Sequence, residues 1–256
     1  MSFLVAGFYG HDNLGDEMFC HAFTTILPKC KLEFTEISKL DTVDLNQYQG
    51  VIVGGGDLLN DFYGHKIKNV LGNYQGYKAA IGVGVSFESC LDQDYLNIFD
   101  DIFVRNRCDL AALSTWVGSF HTHSIPDLGF SIPLTIKNSD EFAVGASQTI
   151  GISLVGAESF QGSFSEKITE LVTKLISQGI TVNLIAMYKD PTASFNDLIF
   201  SHHIKDQVKS DRVKIISTSS LEEFFEELAK LDLVICMHFH THVFCTRMGI
   251  PFISFG

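Results

Sequence analysis

Short apolar runs alternate with helix-patterned stretches along the whole chain, and this alternation limits the possible folds more than any other feature. Ser2–Gly7, Lys31–Ile37, Gly50–Val53, Ala79–Val85 and Asp101–Val104 read as strands. Glu17–Leu27, a stretch opening at Tyr95–Phe99, and Leu110–Trp116 read as helical, with Thr122–Leu128 as a loop closing the first half. Gly50–Val53 is apolar throughout, as strands in the middle of a parallel sheet are. The pattern restarts with strands at Thr149–Leu154, Thr181–Met187, Val213–Ile216, Leu233–Met237 and Pro251–Phe255. Helices are expected between them at Ser165–Ser177, Phe195–Val208, Ser220–Lys230 and His240–Met248. Ser165–Ser177 carries Ile168, Leu171, Val172, Leu175 and Ile176 at helical spacing, and Gly179 follows as a helix stop. Strands alternating with helices build right-handed βαβ units and a parallel sheet. The more polar stretch Ile136–Ser147 is the expected linker. The expectation is an α/β chain of two Rossmann-like domains facing a cleft, residues 1–140 and 147–256.

Composition narrows the function classes. With 46% hydrophobic and 19% charged residues, the chain has material for a core in each half and is not disordered. A formal charge of -12 lacks the basic footprint that phosphate backbones require, so nucleic acid is not an expected partner. A small anionic substrate is compatible with that charge if a helix N-terminus or a few Arg and His supply a local positive site. None of Cys20, Cys30, Cys90, Cys108, Cys236 and Cys245 forms a C-x-x-C pair. A reduced, cytoplasmic setting is expected. Met1–Gly7 has no basic segment before it and reads as a strand, not a signal peptide, and no apolar run approaches a transmembrane length. The 22 Phe residues make a homo-oligomer plausible as a partner state.

Three segments carry possible chemistry. Gly7 to Glu17 (GFYGHDNLGDE) takes a strand through a Gly-containing loop into a helix, which places backbone N–H groups and the positive end of a helix dipole at the sheet's carboxyl edge. It matches neither G-x-G-x-x-G nor a Walker loop. The plainer reading is a βα turn in which Asn13 or Asp12 caps the helix. Val51 to Asp61 contains Gly54, Gly55 and Gly56 in succession after a buried strand. Such a run suits either close approach of a ligand to bare backbone or a tight turn with unusual dihedral angles. Val234 to His242 ends a strand with three histidines, His238, His240 and His242. On an extended strand end they share one face; once a helix has begun, His238 and His242 are the neighbours. No further Cys or carboxylate lies at a recognised ligand spacing, so no metal site is expected; an acid–base or anion-binding role fits better, and the competing plain reading is a polar strand end with satisfied histidines.

At these places the sequence resembles the polysaccharide pyruvyl transferase family. Asn13-Leu14-Gly15-Asp16-Glu17 resembles the family's N-x-G-D-E loop, and Gly54-Gly55-Gly56-Asp57-Leu58 its G-G-G-x-L loop. Gly82-Val83-Gly84-Val85 resembles a G-x-G-x strand end, and Val104-Arg105-Asn106 a V-R-D segment. Pro126 to Phe130 resembles the D-x-x-F/A element, and Val234 to Pro251 the V-I-x-x-R-x-H stretch with the following G-x-P strand. The resemblance implies a glycosyltransferase-B-like fold and a cytoplasmic transferase that needs no metal or other cofactor. Such an enzyme moves the pyruvyl group of phosphoenolpyruvate, its donor substrate, onto a sugar of a glycan or glycan precursor as a ketal. It also implies His240 as the catalytic residue and Arg105 and His238 as donor ligands. Asn13, Asp16, Gly54, Gly55 and Gly56 would line the N-terminal side of the cleft, toward the acceptor.

Departures from the family pattern carry their own expectations. His238 stands where the family has arginine, and a histidine offers neither the arginine's fork nor its permanent charge. Asn106 stands in place of aspartate. The chain ends at Gly256, where relatives continue, so a truncated C-terminus is expected. A glycosyltransferase using a nucleotide-sugar, and a catalytically degenerate glycan-binding or structural relative, are the alternative readings.

Overall fold

Six parallel strands form the first sheet, in the order β2-β1-β3-β4-β5-β6. They are β1 (Ser2–Gly7), β2 (Lys31–Glu36), β3 (Gly50–Leu59), β4 (Tyr77–Val85), β5 (Asp101–Val104) and β6 (Thr122–Ser124). Five more parallel strands form a second sheet in the order β11-β10-β7-β8-β9. These are β7 (Thr149–Ser153), β8 (Thr181–Ile185), β9 (Val213–Ile216), β10 (Leu233–Cys236) and β11 (Phe252–Ser254). The computed structural model describes residues 1–86, 93–117, 121–134, 148–156 and 163–255. The expected linker Ile136–Ser147 lies outside them. By its internal contacts the chain divides into two units, Met1–Gly10 with Asp16–Ile132, and His11–Gly15 with Pro133–Gly256.

In the first unit the helices are α1 (Leu14–Ile26), α2 (Asp61–Leu71) and α3 (Arg107–Trp116). Side-chain caps fix where two of them start. Asn60 accepts from the Tyr63 N–H at 3.1 Å, and Asn106 from the Asp109 N–H at 2.7 Å. Asn caps a helix as well as Asp does, so the Asn106 departure keeps the local structure intact. The core of this unit gathers Leu4, Ala6, Val51, Val53, Ile67, Ala80, Val83, Tyr95 and Ile102, all nearly inaccessible.

The second unit contains α4 (Phe164–Ser177), α5 (Asp197–Val208), α6 (Leu221–Leu228) and α7 (Phe239–Met248). Asn196 caps α5 through the Ile199 N–H at 2.9 Å, and Ser220 caps α6. Ile150, Ile152, Val172, Val182, Leu184, Phe200 and Ile204 make its core. Gly179 and Gly249, at φ 85° and 68°, end α4 and α7 in the left-handed conformation. No helix among the described residues is long and apolar enough to cross a membrane.

Several expected elements differ. Thr122–Leu128 was expected as a loop, yet Thr122–Ser124 pairs in parallel with Ile102–Val104 as an edge strand. Three residues are too few for a period-two pattern to show, and the pairing partner supplies what the segment lacks. Tyr95–Phe99 forms a 3-10 turn at Asp94–Ile98, not a helix. Strand β3 runs on through the three glycines to Leu59. Helix α1 starts at Leu14, three residues before the expected Glu17, because Asn13 Oδ1 accepts the Gly15 N–H at 3.1 Å.

Candidate functional site

Each sheet reverses its strand order once, and parallel sheets bind ligands at the carboxyl ends of the strands beside that reversal. In the second unit the chain builds β7, β8 and β9 outward, then returns to place β10 on the other side of β7. The reversal lies between Ser153 and Cys236, which are register partners at the carboxyl ends of β7 and β10. Ser153 Oγ and Thr241 Oγ1, both fully buried, meet there at 3.0 Å.

His238 precedes α7 in an extended conformation, and the helix begins at Phe239. His240 and His242 therefore sit two apart on a helix and face different ways, so the three rings do not share one face. The His242 ring packs edge-on against Phe252 at 5.4 Å, an aromatic contact at the end of the sheet. His238 Nε2 lies 2.7 Å from Asp197 Oδ2 without the alignment of a hydrogen bond, so the contact is electrostatic when His238 is protonated. Asp197 is 2% exposed and ties three loops together. Its Oδ1 accepts from Gly156 N–H at 2.8 Å, and its Oδ2 from Met187 and Tyr188 N–H at 3.0 and 2.8 Å. It thereby joins the turns after β7 and β8 to the histidine after β10.

His240 packs against Gly15. A methyl group built on Gly15 would lie 2.3 Å from His240 Nδ1, well inside contact distance, so only glycine leaves room for the ring. Gly15 belongs to the segment His11–Gly15, which the contacts assign to the second unit. Asn13 bridges to Tyr188, the Leu14 N–H donates to Met187 O at 2.9 Å, and the Lys189 N–H donates to Asp12 O at 3.0 Å. Asp12, at φ 49°, also receives Lys189 Nζ at 3.1 Å and Ser219 Oγ at 3.2 Å. His11 Nδ1 lies 3.1 Å from Asp190 Oδ2. The Thr192 hydroxyl and N–H, and then His11, bring the Asp190 carboxyl down to about 2. Asn13 was expected on the N-terminal side; its strand bridge places it with the second unit instead. The sequence alone does not mark Asp197, which reads as an ordinary dipole complement at a helix start, or Asp190 and Lys189, which lie in a loop between β8 and that helix.

In the first unit the reversal falls between β1 and β3, where Gly54, Gly55 and Gly56 sit. Two of these glycines are explained by packing. A methyl on Gly54 would be 2.4 Å from Phe23 Cζ, and one on Gly55 would be 2.1 Å from Phe19 Cδ2. Gly55 and Gly56 also adopt φ 80° and 79°. Phe19 and Phe23 are fully buried on α1, so the run lets that helix lie directly on the strand. Tyr9 completes the joint, its hydroxyl donating to Gly54 O at 2.7 Å. Gly56 meets only Asp16 Oδ1, at 3.0 Å from the site of its missing methyl.

Arg105 is held between two carboxyl groups. Its Nη2 donates to Asp57 Oδ1 at 2.6 Å, and its Nη1 lies 3.7 Å from Asp127 Oδ2. The side chains of Arg105 and Asp127 are 10% and 3% exposed, while that of Asp57 is 61% exposed. Burial pushes the Asp127 carboxyl up, opposed by the Gly129 N–H and by Arg105. The expected site residues thus fall into two groups. Arg105, Asp16 and Gly54–Gly56 lie in the first unit, and Asn13, His238 and His240 in the second. Among the described residues no group of His, Cys, Asp and Glu is arranged to hold a metal ion.

The fold has solved counterparts. The chain is similar to S. aureus MnaA, solved with UDP, at a TM-score of 0.71 and 12% identity, over 99% of this chain and 79% of that one. It is similar to a putative UDP-N-acetylglucosamine 2-epimerase from Listeria monocytogenes, at 0.69 and 11%, over 99% and 78% of the two chains. The UDP-GlcNAc 2-epimerase from Neisseria meningitidis, bound to UDP-GlcNAc, matches at 0.67 and 11%, over 99% and 82%. At such identities the likeness concerns the fold alone, which is the α/β, glycosyltransferase-B-like class. No curated protein matches the sequence significantly. The family model described as polysaccharide pyruvyl transferase matches residues 13–256, and the chain belongs to that family.

Proposed function

We propose that the protein transfers a pyruvyl group from phosphoenolpyruvate to a sugar of a glycan or glycan precursor, forming a ketal. The observation that carries this reading is the family match over residues 13–256. The reaction needs two hydroxyls on one sugar. One hydroxyl oxygen bonds to C2 of phosphoenolpyruvate and gives up its own proton to solvent as a proton adds to C3, turning the methylene into a methyl. The second hydroxyl then displaces phosphate from C2, and its proton leaves with the phosphate or through solvent. His240, seated on Gly15 at the N-terminus of α7, is the proposed acid for C3. His238, braced by Asp197, and the N-terminal N–H groups of α7 are the proposed contacts for the donor's anionic groups. Asp197 Oδ2 lies 2.7 Å from His238 Nε2, beside the N-terminus of α7.

A nucleotide-sugar donor is the second reading, favoured by S. aureus MnaA, a protein of similar fold solved with UDP. Calorimetry on the wild type and on His238→Arg, titrated with phosphoenolpyruvate and separately with UDP, separates the two. Phosphoenolpyruvate binding, tightened in His238→Arg, is expected. Binding of UDP alone would replace the proposal with the second reading. Binding of neither ligand by either protein would point to a relative that no longer catalyses.

A further inference from the structure

Within the second unit, the segment His11–Gly15 runs antiparallel to Met187–Lys189. Asn13 bridges to Tyr188, flanked by the Leu14 N–H on Met187 O at 2.9 Å and the Lys189 N–H on Asp12 O at 3.0 Å. Those links align the backbone, and a buried ion pair pins its side. Lys189 Nζ, on a side chain 4% exposed, donates to Thr218 O at 2.7 Å and to Ser219 Oγ at 2.9 Å, and lies 3.1 Å from Asp12 Oδ1. Ser219 Oγ donates to the same Asp12 oxygen at 3.2 Å. Asp12 thus meets the loops after β8 and β9 at once. It does so at φ 49°, a conformation that Asp and Asn tolerate better than most side chains. A buried ammonium needs a matched carboxylate, so the pair holds Asp12 in one place. Three residues on, Gly15 abuts the His240 ring, with the site of its missing methyl 2.3 Å from Nδ1. Moving the segment inward collides with the ring, and moving it outward leaves the ring room to turn.

We propose that Lys189 and Asp12 are positioning residues for His240: their ion pair holds the segment His11–Gly15 so that Gly15 sets the place of the imidazole. This rests on the pyruvyl-transfer reading, in which His240 is the acid. The pair acts through Gly15: Lys189 holds Asp12, the backbone carries that constraint to Gly15, and Gly15 bounds the ring at Nδ1. Misplacing a reacting group by about 1 Å costs about 100-fold in rate, and that is the loss expected when the pair is broken. His11 Nδ1, 3.1 Å from Asp190 Oδ2, holds the segment's other end, so breaking the Lys189 pair loosens the segment without releasing it.

The test uses the full chain, isotope-labelled at its histidines, with the variants Lys189→Met and Asp12→Asn. Lys189→Met keeps an unbranched apolar stem and removes the ammonium. Asp12→Asn keeps a residue suited to φ 49° and removes the charge. NMR reads the histidine ring signals, assigned to His240 by their loss in His240→Gln. Phosphate release reads turnover, and calorimetry reads phosphoenolpyruvate affinity. In both variants the His240 ring signals should shift while those of the exposed His202 stay in place. Turnover should fall by about 100-fold, with phosphoenolpyruvate affinity changed by less than about threefold. The double variant should be no worse than the poorer single one, since the two residues act as a pair. His240 ring signals that stay in place in either folded variant overturn the proposal. A turnover loss matched by an equal loss of phosphoenolpyruvate affinity overturns it too, as does the failure of both variants to fold, which would make the pair a folding element. If the wild type releases no phosphate yet the His240 signals shift as expected, pyruvyl transfer fails and the seating of His240 by the pair stands.

Discussion

Alanine substitutions along the glycines of the first unit separate two physical costs. Gly10 adopts φ 83° with nothing within 4 Å of its missing methyl, so Gly10→Ala tests the dihedral angle alone. Gly54 has no positive φ, but its methyl would lie 2.4 Å from Phe23 Cζ, so Gly54→Ala tests packing alone. Gly55 combines both, at φ 80° and 2.1 Å from Phe19 Cδ2. The left-handed conformation costs a non-glycine residue about 1–2 kcal/mol. Forcing a methyl into a packed site costs about 1–3 kcal/mol. Gly55→Ala should therefore lose about 2–5 kcal/mol, close to the sum of the other two. At a slope of about 2 kcal/mol per molar urea, its unfolding midpoint should fall by roughly 1–2.5 M. Urea titrations followed by the tyrosine and tryptophan signals measure all three. If Gly55→Ala is no worse than Gly10→Ala, close packing of α1 is not why the strand carries three glycines. The argument built on Phe19 and Phe23 would then be wrong.

Gly15→Ala should reduce turnover strongly while the unfolding midpoint moves little, because its methyl would displace the His240 ring from 2.3 Å away. Steady-state kinetics beside a thermal melt reads both, and unchanged turnover would separate Gly15 from the chemistry. The Asp190 carboxyl is lowered to about 2 by Thr192 and His11, so its contribution to stability is present above the ordinary carboxylate value near 4. That contribution is lost as pH falls from about 4 toward about 2, and Thr192→Ala should move the loss to higher pH in an acid titration followed by circular dichroism. Burial pushes the Cys20 and Cys245 thiols up to about 12 and Cys236 to about 11. With iodoacetamide near pH 8, mass spectrometry should find the exposed Cys108 labelled first and the buried Cys236 and Cys245 labelled only on unfolding.

Much of the architecture was legible because βαβ units write themselves locally. Apolar runs such as Thr149–Ser153 and Thr181–Ile185 need only a period and a boundary to be seen. Capping residues such as Ser220 mark a helix start within four residues of sequence. Edge strand β6 was not legible, since its three residues become a strand only through their partner β5. The glycine run was visible as an anomaly, but its cause was not, because Phe19 and Phe23 lie on another element about thirty residues earlier in the sequence.

The sequence by itself determined the fold class, the family and the residue types gathered at the strand ends, because periodicity, caps and motifs are properties of neighbouring residues. The tertiary structure decided which of those residues lie together. It set His240 on Gly15, braced His238 with Asp197, and joined His11–Gly15 to the second unit. It also answered Arg105 with two carboxyl groups, Asp57 on β3 and Asp127 in the loop after β6. The physical reason is range. Backbone conformation follows from contacts a few residues apart, whereas the charge state and freedom of a side chain follow from groups that only folding brings within about 4 Å.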